Sequence, residues 1–124
     1  MLRIGSFLYL LIIVACLCGC RKEVRLRIAN RSDVELLNVV VRFPSQTEKY
    51  GNILPGRTTE YRKVNKAYRY AYIEAVIEGK EAILQPQDYV GESLLSGGNY
   101  TYSLSYNPKA SDKHGRLQLQ LEKE

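Results

Sequence analysis

From position 24 onward, apolar residues recur at every second position in short runs separated by turn-forming residues. That is the period of β-strands with one buried face. Val24, Leu26 and Ile28 share one face of the first run, and Arg25 and Arg27 the other. Asn30-Arg31-Ser32-Asp33 reads as a turn. Residues 34–43 place Leu37, Val39, Val41 and Phe43 on one face and Leu36, Asn38, Val40 and Arg42 on the other. One face wholly apolar and the other half apolar predicts a central strand, which Pro44-Ser45 ends.

The middle of the chain is more polar, with a short strand expected near residues 48–50. Leu54-Pro55-Gly56-Arg57 predicts a type II turn, because Pro presets the first corner and Gly accepts the positive φ of the second. A strand over 58–64 follows, with Tyr61 half-buried. The longest regular stretch is 67–78: Arg69, Ala71, Ile73, Ala75 and Ile77 alternate with Tyr68, Tyr70, Tyr72, Glu74, Val76 and Glu78. As a helix it would carry apolar residues all round, so a strand is expected. Glu78-Gly79-Lys80-Glu81 turns into a strand over 82–85 that Pro86 closes. After a long connection, Tyr100, Tyr102, Leu104 and Tyr106 alternate with Thr101, Ser103 and Ser105, and Leu117, Leu119 and Leu121 with Gln118, Gln120 and Glu122. Seven or eight strands with no helix beyond the N-terminus predict an all-β, antiparallel β-sandwich.

The first twenty residues follow another logic. Arg3 precedes an uncharged run over 7–17, the size of a secretory signal helix and short of the roughly twenty apolar residues a spanning helix needs. Leu17-Cys18-Gly19-Cys20 resembles the lipobox of bacterial lipoproteins. The resemblance implies a signal peptide over 1–19, cut before Cys20, whose thiol takes a diacylglycerol as a thioether. Residues 20–124 would then be one domain. Ile13-Val14-Ala15-Cys16 fits the same pattern, so Cys16 is the alternative acceptor. Only Arg21, Lys22 and Glu23 separate Cys20 from the first strand, so the domain would sit close to its membrane. The resemblance implies the cell envelope, and Arg21 in place of an Asp retention signal favours the outer membrane over the inner.

The domain also resembles the small immunoglobulin-like domains of bacterial lipoproteins. The likeness rests on Asn30-Arg31-Ser32 opening into Leu37-Asn38-Val39-Val40-Val41 and then Leu54-Pro55-Gly56-Arg57-Thr58. A transthyretin-like sandwich fits the same pattern.

Composition narrows the chemistry. All three cysteines lie within the first twenty residues, so the domain has no disulfide, zinc site or thiol nucleophile, and no metal or cofactor is expected. Residues 20–124 carry 17 basic and 13 acidic side chains, too mild an excess for a nucleic-acid binder. Arg21, Lys22, Arg25, Arg27 and Arg31 would form either a membrane-proximal basic cluster or a solvated strand face.

No constellation predicts an enzyme. His114 lies in a polar loop near Asp112, and Glu74 and Glu78 stand about 13 Å apart at strand rise, too far for a glycosidase pair. Asp88 and Glu92 are loop carboxylates without a calcium-loop pattern. Asn99-Tyr100-Thr101 matches a glycosylation sequon by chance.

The unusual feature is tyrosine. Tyr68, Tyr70 and Tyr72 would form a ladder on one strand face, with Tyr100, Tyr102 and Tyr106 beside it. They serve either as cross-strand packing or as a contact surface. The expected function is a lipid-anchored binding or accessory module contacting another envelope protein, for instance by adding a strand at an open sheet edge. The alternative is a carbohydrate or peptidoglycan-binding module using the tyrosine face.

Overall fold

The computed structural model describes residues 23–86 and 92–124. The expected signal peptide over 1–19, Cys20 and Cys16 as expected lipid acceptors, and Asp88 lie outside the described residues. Eight strands follow in order: β1 (Val24–Asn30), β2 (Leu36–Arg42), β3 (Thr47–Ile53), β4 (Arg62–Val64), β5 (Tyr72–Ile77), β6 (Lys80–Leu84), β7 (Gly98–Tyr106) and β8 (Leu117–Lys123). They form two four-stranded sheets, β4-β1-β7-β8 and β3-β2-β5-β6, packed as the expected sandwich. Leu26, Ile28, Tyr102 and Leu104 from one sheet meet Val39, Val41, Ile73 and Ile77 from the other in a single buried core.

Every paired neighbour is antiparallel except β1 and β7, which run parallel from Val24 opposite Gly98 to Asn30 opposite Leu104. β1 and β2 lie in opposite sheets, whereas the immunoglobulin constant-type sandwich keeps its first two strands together.

Turn chemistry comes out as the residue types demand. Arg57 N–H donates to the Leu54 carbonyl (3.1 Å) across the Pro-Gly corner, with Gly56 at φ +72°. Glu78 and Gly79 both have positive φ, the two-residue hairpin turn that matches strand twist, and Ile77 pairs with Lys80.

Two expectations are corrected. In β2, Leu37 does not share the buried face of Val39, Val41 and Phe43; Leu36 does. A β-bulge sets Leu37 and Asn38 against a single residue of β3, and Asn38 takes φ +52°. One extra residue reverses which side chains face inward on either side of it. The strand expected over 67–78 begins only at Tyr72. Its neighbours run out there: Tyr72 pairs with Arg42, the last residue of β2, and Ile73 with Leu84, the last of β6. With no ladder beyond, the backbone finds other partners. The Ala67 carbonyl accepts from Leu95 N–H (2.8 Å) and the Tyr68 carbonyl from the Tyr102 hydroxyl (2.5 Å).

Candidate functional site

The tyrosine ladder is not formed. Tyr68 and Tyr70 lie on the irregular segment before β5, half-buried, and only Tyr72 is on a strand. Tyr100 and Tyr102 are core residues, 3% and 0% exposed. Tyr102 stacks on Phe43 with ring centroids 6.2 Å apart, and the Tyr100 hydroxyl donates to the Ser96 carbonyl (2.7 Å). Buried rings present no stacking face to a sugar, so these two drop out as a sugar-stacking surface. The alternation that nominated them reports that they share a face; that face is the inner one.

Several other tyrosine rings are covered by arginine. The guanidinium carbon of Arg27 stands 4.5 Å over Tyr61, that of Arg62 4.5 Å over Tyr50, and that of Arg42 5.5 Å over Tyr72. Burial raises the Tyr50 phenol well above its ordinary pKa, and its hydroxyl donates to the Leu26 carbonyl (3.2 Å). These pairs spend the exposed aromatic surface on packing within the domain.

What the sandwich leaves open is an edge. Of the four edge strands, β3 and β4 lie on one flank and are stitched together. Gln46 Nε2 donates to the Lys63 carbonyl (3.4 Å), Asn65 N–H donates to Gln46 Oε1 (2.9 Å), and Arg62 pairs with Glu48 (3.1 Å). On the other flank, the start of β6 is capped by the loop before β8, where Arg116 donates to the Glu81 carbonyl (2.6 Å). Among the described residues β8 pairs only with β7.

The ladder ends set which β8 groups face outward. Asn107 N–H donates to the Arg116 carbonyl and Glu124 N–H to the Asn99 carbonyl, both 2.9 Å, in the β7–β8 register. Bonding in an antiparallel pair alternates residue by residue. Gln118, Gln120 and Glu122 therefore bond to β7, and Leu119, Leu121 and Lys123 turn their backbone N–H and C=O groups away from it. Beside this edge lies a groove of about 550 Å³, lined by Arg69, Leu94, Leu95, Tyr100, Leu121 and Lys123 among others. Leu94, 47% exposed, stands on its rim, while Leu95 is half-buried against the core and pinned to Ala67. The Tyr70 hydroxyl donates to Glu92 Oε1 (2.6 Å), holding the segment that carries both leucines. The sequence reading passed over these residues; the signal that could have found them is Leu94-Leu95, an apolar pair inside a polar connection.

The remaining candidates stay apart. His114 is exposed in a single 3₁₀ turn (Lys113–Gly115), and its backbone N–H, donating to Asp112 Oδ1, leads the contacts that lower the Asp112 pKa. Glu74 pairs with Arg42 (3.5 Å), whereas Glu78 sits in the hairpin turn. Among the described residues no three His, Cys, Asp or Glu side chains gather as metal ligands, and no helix is long and apolar enough to cross a membrane. No protein-family model matches the chain, and no curated protein matches it in sequence.

Proposed function

We propose that the protein is a lipid-anchored binding module of the bacterial envelope that receives an extended segment of another envelope protein along β8. The observation that carries this reading is the second half of β8, whose outward backbone groups have no strand beside them among the described residues. An unpaired edge is a template for one more strand, and main-chain bonds supply affinity while flanking pockets select side chains. The groove at Leu94, Leu95 and Leu121 would take an apolar side chain of that segment, and Arg69 and Lys123 on its rim would favour acidic neighbours. Of the two sandwich types, the strand order supports the transthyretin-like one. The reading is of a binding protein, not an enzyme, with no cofactor.

The anchor reading rests on the sequence, and the fold sets what it would bring near the membrane. β1 opens at Val24, four positions past Cys20, and Val24 pairs with Gly98, two residues from Tyr100. A lipid on Cys20 would therefore place the groove at the membrane-proximal end of the sandwich, where a partner in the same membrane can reach it.

A photo-crosslinker at position 123, compared with one at position 109 in the loop beyond β7, tests the edge in intact membranes. Adducts to one envelope protein from 123 alone, lost in Leu94→Asp, are expected; equal labelling from both positions overturns the edge reading. Cys20→Ala tests the anchor separately. It should release the protein from membranes, and an unchanged membrane-bound fraction overturns the lipid assignment.

A further inference from the structure

The outer face of the β1-β7-β8 sheet is built in rows. The registers set Arg27, Thr101 and Glu122 side by side, then Ala29, Ser103 and Gln120, with Ser105 and Gln118 paired in the next row. Over these rows β7, the strand in the middle, carries the short hydroxyl side chains of Thr101, Ser103 and Ser105, and the longer side chains of Arg27, Arg31, Gln118, Gln120 and Glu122 on either side leave a trough above it.

Two arginine–glutamate pairs cross that trough diagonally, and they differ. In the first, Arg27 Nη2 meets Glu124 Oε1 (3.0 Å) over Thr101. Arg27 Nε donates to Thr101 Oγ1 (2.9 Å), which donates in turn to Glu124 Oε1 (3.1 Å). That hydroxyl is fully used. In the second, Arg31 Nη2 reaches Glu122 Oε2 at 3.4 Å, and neither side chain hydrogen-bonds to the Ser103 hydroxyl between them. Ser103 is 6% exposed, and its Oγ is the one buried side-chain N or O atom among the described residues without a hydrogen-bond partner. A buried polar atom left unsatisfied in a folded domain calls for an explanation. Ser103 lines a cavity of about 280 Å³ together with Arg31, Ser105, Gln118, Leu119, Gln120 and Glu122, with its Oγ closed off from solvent.

We propose that this trough is a subsite for one neutral sugar ring of an envelope glycan. The wall chemistry selects the class. An anion would meet the Glu122 carboxylate and a cation the Arg31 guanidinium, whereas a hydroxyl-bearing ring uses both. Vicinal hydroxyls donate to the two Glu122 oxygens and accept from Arg31, with the Gln118 and Gln120 amides and the Ser103 hydroxyl able to serve either sense. The volume, about 280 Å³, falls just below the usual range of ligand pockets, room for no more than a single ring. The Arg31–Glu122 pair, with side chains 54% and 39% exposed, is the looser of the two crossings and can part to admit the ring. This site lies on the sheet face rather than along the β8 edge, although Leu119, whose backbone turns outward at that edge, also lines it.

The test uses the full-length lipoprotein in phosphocholine micelles, whose headgroup contains no sugar. Chitotetraose and maltotetraose are titrated to about 10 mM, the range of weak single-ring recognition, with amide chemical shifts as readout. Saturable shifts centred on Ser103 and Gln120 are expected with at least one of them. Ser103→Ala should weaken binding at least about fivefold, the effect of one net hydrogen bond, while leaving the melting temperature unchanged or higher because it removes an unsatisfied buried group. Thr101→Val should lower the melting temperature and leave binding intact. No saturable binding of either tetrasaccharide, or binding indifferent to both Ser103→Ala and Glu122→Gln, overturns the proposal.

Discussion

Asn30 is the side chain whose loss the fold should feel most for its size. It ends β1, is 0% exposed, and uses its whole amide. Nδ2 donates to the Val34 carbonyl (2.8 Å) and to the Ile53 carbonyl (2.9 Å), and Oδ1 accepts from the Ser32 backbone N–H (2.9 Å) and the Ser32 hydroxyl (2.6 Å). The bond to Ile53 joins the end of β1 in one sheet to the end of β3 in the other. The Ser32 hydroxyl has one proton, within reach of both Asn30 Oδ1 and the Val34 carbonyl (3.0 Å). In Asn30→Ala it goes to Val34, while the Ile53 carbonyl and the Ser32 N–H each lose a partner inside the domain. At about 1 kcal/mol for each bond, with a further penalty for buried groups left unpaired, the cost is about 3–4 kcal/mol. A domain this size is stable by about 5–15 kcal/mol in total. Thermal unfolding followed by circular dichroism should show a fall of about 12–32 °C at about 4–8 °C per kcal/mol. Asn30→Asp supplies a signature that volume loss cannot. Its carboxylate would face two carbonyl oxygens in a dry site, so its folded-state pKa is raised. The penalty then grows as pH rises above the unfolded pKa and shrinks in acid. An Asn30→Ala melting temperature within a few degrees of wild type, or an Asn30→Asp deficit independent of pH, refutes the bonding scheme. Because Arg31 follows directly, loss of the Asn30 turn should also separate Arg31 from Glu122 and weaken the proposed glycan subsite.

Three further outcomes follow from single features. At the β2 bulge, Asn38→Gly should change stability by less than about 0.5 kcal/mol, since Asn tolerates φ +52° nearly as well as Gly, whereas Asn38→Val should cost about 1–2 kcal/mol; urea titration separates them. Tyr102→Phe should cost about 1 kcal/mol through the lost bond to the Tyr68 carbonyl while keeping the Phe43 stack, read as a shifted urea midpoint with unchanged slope. Stability should decline at both pH extremes, measured by melting temperature. The hydrogen bond from Arg27, then that from Thr101, holds the Glu124 pKa below its ordinary 4.5, so the stability it contributes is present above that value and lost as pH falls through the depressed one. Burial holds the Tyr50 pKa above its ordinary 10.0, so its contribution is present below that value and lost as pH rises beyond it.

Legibility in the sequence varied with the kind of feature. Strands with strict alternation, β1, β7 and β8, came out at or near their predicted limits, because a period of two is a local consequence of one wet and one dry face. β3 was expected only near residues 48–50 and runs over Thr47–Ile53. Its buried residues are just Tyr50 and Ile53, an uneven spacing imposed by the bulges with β2. The strand expected over 58–64 shrinks to Arg62–Val64, with an isolated bridge from Thr58 to Ala29. Tyr68 and Tyr70 continue the alternation of β5 yet have no ladder to join.

The sequence alone determined the class of fold, the turns at Pro55-Gly56 and Glu78-Gly79, and the inner faces of most strands, since each follows from a few neighbouring residues. Tertiary structure decided which strand lies beside which, including the parallel meeting of β1 and β7. It also sent Tyr100 and Tyr102 into the core and brought Arg27 and Arg31 across β7 to Glu124 and Glu122. Those pairings join residues more than ninety positions apart. Alternation reports that a face is dry or wet; it carries no information about the distant strand that makes it so.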